Sequence, residues 1–154
     1  MSHLRRSTWC AAVLLLSACA TTRPPEIAFL TPYGPPVYPF SPAVRVGSML
    51  YLAGQVGTDS TGALVKGGVE AETRQTMRNI ADVLAKTGSS MDRVVKCTAF
   101  LADMKEWPTV NVVYATFFPT HKPARSALGA TGLALNARVE VECIAVVGTS
   151  SGGR

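Results

Sequence analysis

The sequence predicts an α+β fold in a single domain: one mixed β-sheet with two helices packed on one of its faces. Three observations predict it. The apolar periodicity gives the order β, β, α, β, α, β, β between residues 44 and 147. Two helices of the lengths read here cover one sheet face and leave the other. The 154 residues, 47% hydrophobic and 16% charged, suit one globular core.

Val44 to Val46 and Met49 to Ala53 read as two short strands joined at Gly47-Ser48. Gly54-Gln55 follow, then a turn-rich loop from Gly57 to Gly62. Val69 to Lys86 carries Thr73, Met77, Ile80 and Leu84 on one helical face, and Gly88 supplies a stop. Val94 to Leu101 is rich in β-branched and apolar residues, as a strand requires. A second helix starts at Trp107-Pro108, because proline suits a first helical turn, and runs to about Phe118. Arg125 to Ala130 and Arg138 to Val147 are the last strands. In the final strand Val139, Val141, Cys143, Ala145 and Val147 form one apolar face. The other face begins with Arg138, Glu140 and Glu142 and then turns apolar at Ile144 and Val146, which predicts burial against a partner subunit.

Residues 1–18 read as an address rather than as structure. Arg5 and Arg6 precede the apolar run Trp9 to Leu16, which is too short to span a bilayer but suits a signal peptide. Leu16-Ser17-Ala18-Cys19 resembles the bacterial lipobox, in which the chain is cut before the cysteine and Cys19 is acylated. Ala20 after it resembles sorting to the outer membrane, so the expectation is an exported protein anchored on that membrane's periplasmic face. Residues 19–40 form a Pro-rich tether and lead-in, in which Ile27, Phe29 and Leu30 suit an edge strand. Residues 41–149 form the domain and 150–154 a tail.

The formal charge is +5, and setting aside Arg5 and Arg6 leaves thirteen basic residues against ten acidic ones, or +3. Those charges form no runs interleaved with aromatics, so no nucleic acid is expected as a partner. Cys97 and Cys143 lie within strands among apolar neighbours. Buried thiols acting as small hydrophobes are the favoured reading, and a disulfide in an oxidising compartment is the alternative. His121 is the single histidine outside the signal region and sits in a Pro/Thr/Lys loop, so no metal site is expected.

Three residues can do chemistry. Arg125 opens a strand after Pro123-Ala124, Glu140 follows on the next strand, and Asn111 lies on the preceding helix. An arginine can hold a carboxylate by two parallel hydrogen bonds, and a glutamate can hold or deprotonate a water. From pattern alone, the favoured reading is a plain cross-strand ion pair between Arg125 and Glu140.

A family resemblance shifts that weighting. The stretches Phe40-Ser41-Pro42-Ala43-Val44, Leu50-Tyr51-Leu52-Ala53-Gly54-Gln55-Val56, Glu72-Thr73-Arg74-Gln75, Met77-Arg78-Asn79-Ile80, Asn111-Val112-Val113-Tyr114, Pro123-Ala124-Arg125-Ser126 and Val139-Glu140-Val141-Glu142 resemble the RidA/YjgF family of imine deaminases. The resemblance implies a chorismate-mutase-like fold and a homotrimeric barrel with clefts between subunits. It implies hydrolysis of 2-imino or 2-enamino acids to 2-keto acids and ammonia, without a cofactor. Arg125 matches the family's carboxylate-binding arginine, Glu140 the carboxylate that positions water, and Asn111 a cleft asparagine. Three cleft positions depart from the pattern: Phe40 stands for a tyrosine, Ala53 for a frequent serine, and Ala127 for a frequent cysteine or threonine. Each change makes the cleft more apolar. The competing expectation is therefore a non-catalytic, carboxylate-binding trimer anchored to the outer membrane.

Overall fold

The computed structural model describes residues 23–148. The signal segment and Cys19 lie outside them.

Four strands come first: β1 (Ile27–Leu30), β2 (Ala43–Val46), β3 (Met49–Leu52) and the short β4 (Gln55–Val56). They are followed by α1 (Gly68–Lys86), β5 (Val94–Leu101), α2 (Trp107–Thr116), β6 (Ala124–Gly129) and β7 (Val139–Val146). Every element expected from the periodicity is present, and Ile27 to Leu30 form the edge strand suggested for them. The two-residue β4 is too short to show a period in the sequence.

The sheet runs β1-β2-β3-β7-β5-β6, and β4 also pairs with β7. All pairings are antiparallel except β5–β6, which run parallel, with α2 as the crossover between them. Gly47 turns the chain between β2 and β3 at φ +58, a conformation that costs glycine nothing. Helix α1 stops where the sequence said: Gly88 takes φ +84, and the Ser89 amide donates back to the Leu84 carbonyl at 2.8 Å.

The core lies between the helices and one sheet face. Met77, Ile80 and Leu84 of α1 and Val110 of α2 are fully buried, as are Leu50, Ala99, Leu101, Val139, Val141 and Ala145 of the sheet. Glu72, on the same face of α1, is also buried; its Oε2 accepts from the Arg138 amide at 2.8 Å and so fixes the start of β7. The opposite sheet face presents Ile27, Phe29, Val44, Tyr51 and Ile144 by strand register, and no described element covers it. Phe29 is 71% exposed there.

One expectation is overturned. Cys97 and Cys143 face each other across β5 and β7 and are joined as a disulfide, with a Cα–Cα separation of 4.1 Å. Apolar neighbours favour buried thiols but do not say what each sulfur faces. Strand register, which brings two residues 46 apart in sequence into direct opposition, is invisible to that argument.

Candidate active site

Two groups of residues stand out, and the sheet separates them. The first is built on α2 and β6. Trp107, Asn111 and Tyr114 follow one another at helical spacing and form one stripe of α2. That stripe meets Arg125 on β6. The Arg125 Nη2 donates to Asn111 Oδ1 at 2.8 Å. Its guanidinium carbon lies 4.3 Å from the Trp107 ring centroid and 4.6 Å from that of Tyr114. Tyr114 is buried, its hydroxyl has no hydrogen-bond partner among the described residues, and desolvation pushes its pKa up to about 12 against the opposing pull of Arg125. It is therefore a neutral phenol at any physiological pH. Ala127, two residues beyond Arg125, turns to the same side and packs against the core.

The second group surrounds Glu140 on β7. A cavity of about 620 Å³ is lined by Phe40, Pro42, Ala53, Gly54, Gln55, Leu135 and Glu140, among others. Its outer wall is the lead-in segment, where Tyr38 and Phe40 stack with centroids 5.4 Å apart and planes within 6°. Tyr33 ties that segment to α1: its hydroxyl donates to Asp82 Oδ2 at 2.8 Å, and Lys86, itself paired with Asp82, lies over its ring. On the inner wall Leu135 adopts φ +58, a left-handed conformation that is costly for so bulky a side chain, and Asn136 after it takes φ +60. Burial pushes the Glu140 carboxyl above its ordinary range, and the neighbouring Glu142 charge adds to the shift. Among the described residues Glu140 belongs to no ion pair.

The cross-strand pair of Arg125 with Glu140 that pattern alone favours does not form. The two strands are not neighbours, because β5 lies between β6 and β7. Cys97 of β5 registers with both Arg125 and Cys143, so Arg125 faces the helical side of the sheet. Glu140 registers with Phe100 and points to the opposite side. The parallel crossover through α2, which periodicity alone does not reveal, makes the difference. Asn111 thus lies against Arg125, whereas Phe40 and Ala53 line the cavity with Glu140. Sequence reasoning places Trp107 and Tyr114 on this helix, and Tyr114 in a family-matching stretch, but gives neither a role at the site. Their spacing from Asn111, four residues before it and three after, was the available signal. His121 is exposed in its loop, and the described residues hold no cluster of potential metal ligands.

Known proteins carry the same pattern. The family model described as endoribonuclease L-PSP matches residues 33–147. The chain belongs to this family, the RidA/YjgF family. Within it, a protein of Mus musculus named 2-iminobutanoate/2-iminopropanoate deaminase is 45% identical over 111 residues, covering 71% of this chain and 82% of its own length. Protein MMF1, mitochondrial, of Saccharomyces cerevisiae is 39% identical over 126 residues, or 82% of this chain and 86% of that protein. The crystal structure of yeast Mmf1 superposes with a TM-score of 0.74 at 37% identity, covering 80% of this chain and all of that one. The E. coli TdcF structure with bound serine gives a TM-score of 0.70 at 28% identity, covering 78% and 98%. The RidA/YjgF fold therefore holds across the described domain, including the lead-in from Tyr33 that walls the Glu140 cavity.

Proposed function

We propose that this RidA/YjgF member hydrolyses 2-imino and 2-enamino acids to 2-keto acids and ammonia, in a cleft completed by two subunits of a homotrimer. The observation that carries the reading is Glu140: a partly desolvated carboxylate with raised proton affinity, in a sizeable cavity and, among the described residues, without a cationic partner. Such a group binds a water and takes its proton. Relatives at about this level of identity bear the name 2-iminobutanoate/2-iminopropanoate deaminase, which supports the reaction class. The sheet supports the shared cleft. Within one chain Arg125 and Glu140 lie on opposite faces, so a ligand that meets both must lie between chains, and the uncovered apolar face offers the contact surface.

In this mechanism Arg125 grips the substrate carboxylate and Asn111 holds the guanidinium. An enamine first gains a proton at carbon and becomes the imine. Glu140 then orients a water whose oxygen bonds to the electrophilic imine carbon. Glu140 passes one proton of that water to the nitrogen, giving a carbinolamine; the hydroxyl proton then moves to the amine, the C–N bond breaks as the C=O bond forms, and ammonia departs, leaving the keto acid. The imine carbon is already electrophilic, so this reading asks for orientation and proton transfer and calls on no cofactor.

Phe40, Ala53 and Ala127 favour a second reading, in which the same cleft binds a small carboxylate without turning it over. The E. coli TdcF structure holds a bound serine, which supports a small amino-acid-like ligand for this chain. A coupled assay separates the two: an amino-acid oxidase supplies several 2-imino acids, and keto-acid release is followed with the protein and with Arg125→Ala. Accelerated hydrolysis that disappears in the variant is expected. An intact trimer with no acceleration for any imine would leave binding as the function.

Export and lipid anchoring through Cys19 belong to the same proposal. The cross-strand disulfide supports it, since such bonds persist in oxidising compartments. Palmitate labelling that is lost in Cys19→Ala is the expected result, and labelling unaffected by the substitution would end the lipoprotein reading.

A further inference from the structure

The contacts of Arg125 go beyond what carboxylate binding requires. Arginine is long and flexible, and an unrestrained guanidinium loses rotamer freedom when it grips a ligand. Here three side chains from one stripe of α2 converge on it: Trp107, Asn111 and Tyr114. Asn111 occupies one nitrogen only. The two rings attract the cation through their faces without taking its N–H groups, so the remaining donors stay free for a bidentate partner. Among the described residues Arg125 is in no ion pair, so the charge is held by aromatic faces and one amide rather than by a carboxylate. The orphaned Tyr114 hydroxyl indicates that its ring, not its oxygen, is what this position uses.

We propose that Trp107 and Tyr114 are positioning residues, a pair of aromatic faces that fix the Arg125 guanidinium in readiness for the substrate carboxylate. This rests on the reading of Arg125 as the carboxylate-binding group. A ring is what matters at each position, so phenylalanine substitutes for either residue and leucine for neither. Loss of a ring loosens the fork and weakens ground-state binding, while the chemistry at Glu140 proceeds in those complexes that form.

The test uses the full chain and a non-reactive probe, 2-oxobutanoate, titrated by calorimetry. The variants are Trp107→Leu, Trp107→Phe, Tyr114→Leu, Tyr114→Phe and Arg125→Ala, each checked for its thermal midpoint. Arg125→Ala is expected to abolish binding. The two leucine variants are expected to bind at least about fivefold more weakly, and the two phenylalanine variants to stay within about twofold of the parent. Where imine hydrolysis is measured, the leucine variants raise KM and leave kcat nearly unchanged. Because Trp107 is only partly buried, Trp107→Leu remains informative if Tyr114→Leu does not fold. Folded leucine variants that bind as the parent does, while Arg125→Ala fails to bind, would overturn the clamp and leave the Arg125 reading standing. Undiminished binding by Arg125→Ala would overturn the Arg125 reading itself, and the clamp with it.

Discussion

Gly54 leaves the space that the Glu140 carboxylate occupies: a Cβ at position 54 would stand 1.9 Å from Glu140 Oε1 and 2.9 Å from its Cδ. The clash falls on the far end of a flexible side chain, so Gly54→Ala displaces Glu140 rather than the backbone. The expected outcome is a loss of imine hydrolysis approaching that of Glu140→Gln, with the thermal midpoint little changed. Steady-state rates beside thermal melts check this, and a fully active Gly54→Ala would mean that the carboxylate position seen here is not the working one.

Glu140 also sets a pH dependence. Burial first, and the Glu142 charge second, raise its pKa above the ordinary carboxylate value. The acidic limb of the rate profile should therefore lie above that ordinary value. Glu142→Gln removes the second cause and should shift the limb toward lower pH. For stability the sign is opposite to that of a paired carboxylate. The folded state favours the protonated form, so this stabilising contribution is present below the unfolded pKa and is lost as pH rises through the folded one. Glu140→Gln is accordingly expected to melt slightly above the parent at neutral pH, with the gap closing on acidification.

The disulfide between Cys97 and Cys143 closes a loop between residues 46 apart in sequence. Chain entropy alone assigns such a crosslink roughly 4 kcal/mol at room temperature. Reduction, or the double substitution to serine, should lower the unfolding free energy by up to about that amount. Alkylation of the denatured protein before and after reductant reads the bond directly. Cys97 and Cys143 should label only after reduction, and labelling of both without it would show free thiols.

Glu72 makes a structural prediction outside the site. Its buried carboxylate receives the Arg138 amide at the start of β7, two residues before Glu140. Glu72→Ala leaves that amide unpaired and should cost about 1–3 kcal/mol. Denaturant unfolding measures the loss. Glu72→Gln keeps an acceptor and should recover most of it.

The local elements were legible from the sequence, and so was family membership. Apolar spacing of 3–4 residues marked α1, β-branched runs marked β5 and β7, and Gly47 and Gly88 punctuated them, because these signals act within a few residues of chain. The Pro-Ala-Arg-Ser and Gly-Gln stretches pointed to Arg125 and to the surroundings of Glu140 for the same reason. What the tertiary structure decided was which residues meet. The crossover through α2 sets β5 between β6 and β7, and this puts Arg125 and Glu140, which pattern alone would pair, on opposite faces of the sheet. The same register sets Cys97 against Cys143 and lays Trp107 and Tyr114 on Arg125. Periodicity says which way a side chain faces on its own element, but only the order and register of the strands, fixed by burial of the shared core, say what it faces.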